Sequence, residues 1–110
     1  MRVDVIGHNF EVTEAIRAYA QTKTVKLTKF FDGLQQVTVR VSKVNHKADA
    51  EYDVELILDV EKHKDFVSHA KASDPYAGID LVAEKGERQL RDFKEVLKQS
   101  KHVRGAGDGR

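Results

Sequence analysis

Basic side chains are concentrated in two segments of the chain. Residues 13–31 hold four basic residues against one acid, and residues 84–104 hold seven against four, so each segment has a net charge of +3. Lysine and arginine bind phosphates through charge and counterion release, and they need no sequence-reading motif to do so. The chemistry that these residue types offer is therefore electrostatic binding of an anionic polymer.

Lys23 is the most informative of these cations. At the helical period it lies within about 20° of the centre of its segment's apolar face, close to Ile16 and Leu27. A lysine in that position is costly unless its ammonium reaches an edge of the buried face. We expect that edge to face a cationic groove between two helices, which suits a phosphate backbone.

The second basic segment also has an ordinary interpretation. Glu84 and Arg88, Glu87 and Arg91, and Arg91 and Glu95 are each four residues apart. Such pairs form surface ion pairs on many helices. A solvated helix face is therefore an open alternative to a binding surface in this segment.

Other chemistries have little support in the sequence. The chain has no Cys, which excludes disulfides, thiolate zinc sites and thiol catalysis. Its five His residues form no H-E-x-x-H motif, and the chain has no nucleophile elbow, P-loop or glycine fingerprint. His63 and His69 lie near the acidic hairpin at 59–65, the one place in the sequence that suggests a weak metal site. Residues at such turn and strand positions are more often simply solvated. We predict a protein that is not an enzyme and has no catalytic residue, metal or cofactor.

The total charge conceals an uneven distribution. The 110 residues suit one domain with one core, and 19 basic residues against 18 acids give a formal charge of only +1. That total argues against a nucleic-acid binder. Residues 45–74, however, hold four basic residues against eight acids, a net charge of −4. We therefore expect a basic helical layer backed by an acidic strand face.

Hydrophobic periodicity predicts four strands and two helices that position these side chains. Alternation predicts strands at 2–8, from 37 to a polar stretch at 45–49, at 52–60 and at 66–72. The first helix is expected from about 13 to 31, with Thr13 as its N-cap. The second is expected from Asp74-Pro75 to about Lys101, with Gly86 allowing close approach to the sheet.

One face of the third strand is apolar and the other acidic, so both helices must cover the same side of the sheet. This predicts an α+β fold, a two-layer β-α-β-β-β-α sandwich with a four-stranded sheet, arranged as in double-stranded RNA-binding domains. The domain is expected to span 1–101, and the Gly-rich segment 102–110 is predicted to be a disordered tail. The N-terminus has no apolar block typical of a signal peptide, so we expect a soluble, cytoplasmic protein that does not bind membranes.

Several short motifs occur in this order of elements. They are VIGHN at 5–9, VTEAIR at 12–17, FFD at 30–32 and SDPYAGID at 73–80, followed by Gln89-Leu90. Together they resemble the bacterial ribosome hibernation-promoting factors, also called the ribosome-associated inhibitor or sigma-54 modulation family. The resemblance covers about residues 1–98 and is specific as a combination.

The resemblance implies a domain that occupies the messenger channel of the small ribosomal subunit, over the sites of mRNA and tRNA, and that silences translation in stationary phase or stress. Basic side chains of the helices would contact ribosomal RNA. Carried over by position, the implied RNA-binding residues are Lys23, Lys26, Lys85, Arg88 and Lys94, and Arg91 is added on its charge alone. The chain resembles the short form of the family, which implies ribosome dimers formed with a separate modulation factor and a monomer off the ribosome.

Two further interpretations remain open at this point. Helices packed on a sheet also bind structured RNA generally, as in double-stranded RNA-binding domains. The older family name suggests a regulator that contacts a sigma factor, although no residue here supports it.

Overall fold

A four-stranded mixed sheet forms one layer of the protein, and two helices form the other. The computed structural model describes residues 1–45 and 50–108, and the side chains of residues 1–44 and 50–99. The elements are β1 (Arg2–His8), α1 (Glu14–Val25), a 3₁₀ turn (Lys26–Lys29), β2 (Leu34–Asn45), β3 (Glu51–Val60), β4 (Phe66–Ala72) and α2 (Pro75–Asp108). The predicted α+β fold and element order are confirmed.

The strands lie in the sheet in chain order, β1-β2-β3-β4. β1 runs parallel to β2, with Val3 opposite Val37 and Val5 opposite Val39. Parallel neighbours need a crossover, and α1 provides it. The other two pairs are antiparallel hairpins, so β1 and β4 form the two edges of the sheet.

Strand alternation places the apolar side chains on the helix-facing side, as predicted. Val39 of β2 and Leu56 of β3 are fully buried at the centre of the core. On β4 the buried residues are the small Ser68 and Ala70. Their size lets α2 come close to this edge of the sheet.

Gly86 is one of two glycines at which α2 closely approaches the sheet. A Cβ atom added there would lie 2.6 Å from Cδ2 of Leu56 and 3.3 Å from Cδ1 of Leu58. A mid-helix glycine lowers helix stability by about 1 kcal/mol relative to alanine. Its predicted role as a contact position for the sheet is confirmed.

The helix starts follow the sequence, but the end of α1 does not. The Thr13 hydroxyl accepts a hydrogen bond from the Ile16 amide at 3.1 Å, and the Asp74 carboxylate accepts one from the Tyr76 amide at 3.0 Å. The helix predicted to reach residue 31 ends at Val25 and continues as the 3₁₀ turn. Two threonine hydroxyls bond to the backbone at this point, Thr24 to the Ala20 carbonyl at 2.7 Å and Thr28 to the Val25 carbonyl at 2.8 Å, and such bonds compete with regular helix geometry.

The second helix extends beyond its predicted end. α2 is helical to Asp108, whereas its periodicity ends near Lys101. Gly109 and Arg110 lie outside the described residues, as does the polar stretch 46–49. The disordered tail at 102–110 therefore stays a prediction. No helix in the described ranges is long and apolar enough to cross a bilayer.

Candidate nucleic-acid interface

A groove runs between α1 and α2 on the outer side of the helical layer. Its volume is about 360 Å³. Lys23 and Lys26 line it from the α1 side, and Asp80, Glu84 and Glu87 line it from α2. Lys23 thus reaches the edge of its apolar face and opens on a groove between the helices, as its position on the helix predicts.

The charge in this groove differs from the expectation. Two lysines face three carboxylates, so the groove itself is not cationic. The sequence could place Lys23 on the groove edge, but the acids opposite it come from a helix more than 50 residues away. Attraction for a phosphate must therefore come also from the exposed cations of the helical layer outside this groove.

Asp80 joins two residues of α1. Its Oδ1 accepts a hydrogen bond from the Tyr19 hydroxyl at 2.6 Å and lies 3.4 Å from Nζ of Lys23. The bond to Asp80 raises the pKa of Tyr19 above its ordinary value, because the carboxylate stabilises the protonated phenol. The same carboxylate raises the pKa of Lys23, whose ammonium also lies 5.5 Å from the centre of the Tyr19 ring. Asp80 therefore further stabilises the charged form of Lys23 and holds its ammonium at the groove.

Lys85 and Arg88 lie on the opposite flank of α2, beside the free edge of β4. They line a shallow depression of about 480 Å³ with residues of that strand. The Lys85 ammonium donates to the His69 carbonyl at 2.6 Å, and Nε2 of Gln89 donates to the Val67 carbonyl at 3.0 Å. Lys85 must therefore release a strand carbonyl, or share its protons with it, to bind a phosphate.

Arg91 and Lys94 lie towards the C-terminal half of α2. The Arg91 guanidinium pairs with Glu87 and lies 5.7 Å from the centre of the Phe30 ring. Lys94 lines a cleft of about 230 Å³ with Lys29, Phe30, Phe31 and Asp32. The six predicted RNA-binding residues thus occupy both flanks of α2 rather than one groove.

Comparison with known proteins identifies the chain. A family model described as "Sigma 54 modulation protein / S30EA ribosomal protein" matches residues 3–98. The chain belongs to this family. The S30EA match therefore covers the sheet except for Arg2, all of α1 and most of α2, and the resemblance to this family is confirmed.

Individual relatives agree with the S30EA assignment. The chain is 40% identical to the ribosome hibernation promoting factor of Salmonella typhimurium over 101 residues, covering 90% of this chain and 99% of that protein. It is 39% identical to the Escherichia coli factor over the same coverage. It is 38% identical to the Lactococcus lactis ribosome hibernation promotion factor, but covers only 50% of that longer protein.

Solved structures support the fold of this S30EA domain. The N-terminal domain of Thermus thermophilus Protein Y superposes with a TM-score of 0.74 at 28% identity, covering 84% of this chain and 99% of that one. A ribosomal subunit interface protein from Coxiella burnetii superposes with a TM-score of 0.75 at 19% identity, covering 86% and 99%. The latter comparison bears on the fold alone.

The opposite face of the S30EA sheet carries the acids of β3, as predicted, but cations alternate with them. Nη1 of Arg40 lies 2.5 Å from Oε1 of Glu55, and Nε2 of His69 lies 3.6 Å from Oε2 of the same residue. Asp53 stands opposite Lys71 in the strand register. The cross-strand pair of Arg40 and Glu55 therefore offsets part of the negative charge on this face.

Within the described ranges, no three His, Asp or Glu side chains gather in a way that could hold a metal ion. His63 packs against aromatic rings at one end of the sheet, and Nε2 of His69 lies beside the Glu55 carboxylate. The sequence interpretation missed Asp80 and Tyr19 as members of the interface. Their partners are distant in the chain, and no local pattern signals a hydrogen bond between residues 61 positions apart.

Proposed function

We propose that this S30EA-family chain is a ribosome hibernation factor. In this proposal it binds the small ribosomal subunit in the channel for mRNA and tRNA, and its helical layer contacts ribosomal RNA. The bound domain blocks translation under stress or in stationary phase by occupying the channel. The names of the relatives support the role, because they describe ribosome hibernation factors.

The observation that carries the proposal is the distribution of exposed cations. Lys26, Lys85, Arg88, Arg91 and Lys94 are exposed on the helical layer, and Lys23 is half-buried between the helices. An RNA backbone that passes over α2 would meet cations on both of its flanks. Such contacts bind phosphates without reading bases, which suits a structured RNA surface.

Occlusion of a channel requires no chemistry from this chain. A rigid domain prevents mRNA and tRNA from entering as long as it stays bound, and its release restores the channel. We therefore propose a non-enzymatic factor that acts in the cytoplasm, where ribosomes lie. We further propose that it is monomeric off the ribosome and favours ribosome dimers together with a separate modulation factor.

A co-sedimentation assay tests this proposal with two matched charge reversals. The first combines Lys26→Glu with Arg88→Glu on the helical layer. The second combines Arg2→Glu with Lys71→Glu on the open face of the sheet, and it changes the net charge equally. If both helical cations bind phosphates, the first variant should lose affinity for small subunits. The slope of its log binding constant against log salt concentration should also be smaller by about two.

The sheet-face variant should bind as the wild type does. Equal loss in both variants would mean that net charge governs binding, and would contradict the proposed surface. Equal affinity of the wild type for small subunits and for an unrelated RNA duplex at matched salt would favour a general binder of structured RNA instead. Sedimentation of whole ribosomes with and without a modulation factor tests the proposed dimers.

A further inference from the structure

An aromatic cluster closes one end of the sandwich, where the 3₁₀ turn, the β3–β4 hairpin and α2 meet. The Phe31 and Phe93 rings lie 5.3 Å apart at an angle of 69°. The His63 ring stacks on Phe66 at 4.6 Å and lies 4.5 Å from Phe93. These rings are only half-buried, so the cluster leaves aromatic surface accessible at this end of the domain.

Phe31 lies between two clefts at this end of the domain. It lines both the cleft that contains Lys94 and a second cleft of about 260 Å³ that contains Phe93. Gly33 fixes its position, because a Cβ atom there would lie 2.4 Å from Cε2 of the Phe31 ring. The ring thus rests against a backbone segment and forms a wall between two open spaces.

The cleft of Phe30 and Phe31 combines aromatic surface with positive charge. Lys29 and Lys94 line it, while Asp32 is its single acid. A free phosphate would gain nothing from the two rings and would be repelled by Asp32. A nucleotide would use both the rings and the lysines, because its base can stack on a ring while its phosphates pair with the lysines.

We propose that this cleft binds an unpaired nucleobase of RNA. The base stacks on Phe31 beside the Phe30 ring, and Lys29 and Lys94 hold the adjacent phosphates. A base within a duplex cannot enter, since its faces are already stacked in the helix. This inference rests on the proposed function and adds to it a contact with a single-stranded segment, made by Lys29, Phe30 and Phe31, beside the phosphate contacts along α2.

The test compares two single-stranded probes with the same number of phosphates. One is a short RNA of adenosines, and the other is a chain of abasic nucleotides. Stacking on one ring predicts that the wild type binds the adenosine probe at least about fivefold more tightly. Equal affinities would overturn the proposal, and this comparison needs no variant.

Two leucine variants locate the effect. Phe31→Leu should remove the difference between the probes while keeping an apolar side chain at the position. Phe10→Leu is the matched control, because Phe10 is a half-buried ring that pairs edge-to-face with Tyr52 at 5.4 Å at the other end of the sheet. The control should keep the preference for adenosine. A preference that survives in a folded Phe31→Leu protein would overturn the proposed site.

Co-sedimentation of the wild type with small subunits, run in parallel, separates this inference from the proposed function. Subunit binding with no preference for the adenosine probe would overturn the base cleft and leave the proposed function intact. If the wild type does not co-sediment with small subunits, the proposed function itself is overturned.

Discussion

Nζ of Lys23 lies 3.4 Å from Oδ1 of Asp80, so the lysine that opens on the groove already has a carboxylate partner. Tyr19 donates its hydroxyl proton to the same oxygen at 2.6 Å. The carboxylate can therefore influence an approaching RNA in two ways. It orients Lys23, and it repels any phosphate that comes to replace it.

We predict that Asp80→Asn increases affinity for small ribosomal subunits. An asparagine can still accept the Tyr19 proton, so the local geometry should persist while one negative charge leaves the groove. Removing a unit charge near a phosphate in a solvated site should strengthen binding about fivefold. A co-sedimentation titration at fixed salt measures the change.

Asp59→Asn provides the control for this charge change, because Asp59 lies on the open face of the sheet, away from the helices. Its affinity should equal that of the wild type within about twofold, since exposed charges far from a binding site are screened. Weaker binding by Asp80→Asn would mean that orientation of Lys23 outweighs repulsion, and that Asp80 is a positioning residue.

The same contact predicts a loss of stability at alkaline pH. Asp80 raises the pKa of Lys23 above its ordinary 10.5 and that of Tyr19 above its ordinary 10.0. A raised pKa means that the folded protein holds these protons more tightly than the unfolded chain. The stabilisation is therefore complete below the ordinary values, and it is lost as the pH rises through the raised ones.

Urea unfolding of the wild type and of Asp80→Asn, at neutral pH and above the ordinary lysine value, measures this effect. The free-energy difference between the two proteins should be largest at neutral pH and should shrink at alkaline pH. A difference that stays constant would show that Asp80 does not stabilise the protonated forms of its two partners.

These contacts mark the boundary of what the sequence could predict. Alternation in β2 and β3 identified the buried positions, and the capping residues Thr13 and Asp74 identified both helix starts. Both signals could be read from the sequence because they depend only on neighbouring residues. The end of α1 was wrong, since the Thr24 side chain binds the backbone within the helix. The partner of Lys23 could not be predicted, because only the packing of α1 on α2 brings Asp80 beside it.

The free edge of β4 provides a test that is independent of the ribosome. Lys85 and Gln89 donate to the carbonyls of His69 and Val67, which would otherwise face solvent at the edge of the sheet. Open strand edges invite pairing with a second chain. We predict that the double variant Lys85→Ala with Gln89→Ala self-associates as its concentration rises, measured by light scattering after size exclusion.

The chain offers a control with the same residue types on the same helix. Lys98 and Gln99 are exposed and lie well beyond β4, so replacing both by alanine should leave the oligomeric state unchanged. A Lys85 and Gln89 double variant that behaves as this control does at every concentration would contradict a protective role for the two side chains.

The contact between Gly86 and the sheet predicts a loss of stability when a larger side chain replaces the glycine. Valine at this position would drive its Cβ to within 2.6 Å of the fully buried Leu56 side chain, and its methyl groups would need further space. Overpacking of this kind should lower the free energy of unfolding by about 1–3 kcal/mol. Ala77→Val, at an exposed position of the same helix, shows the cost of valine without overpacking, about 0.5 kcal/mol relative to alanine. At Gly86 helix propensity favours valine over glycine, so any loss of stability there comes from packing. If urea unfolding gives no loss of stability for Gly86→Val, α2 can move away from β3 without cost, and the glycine is not needed for packing.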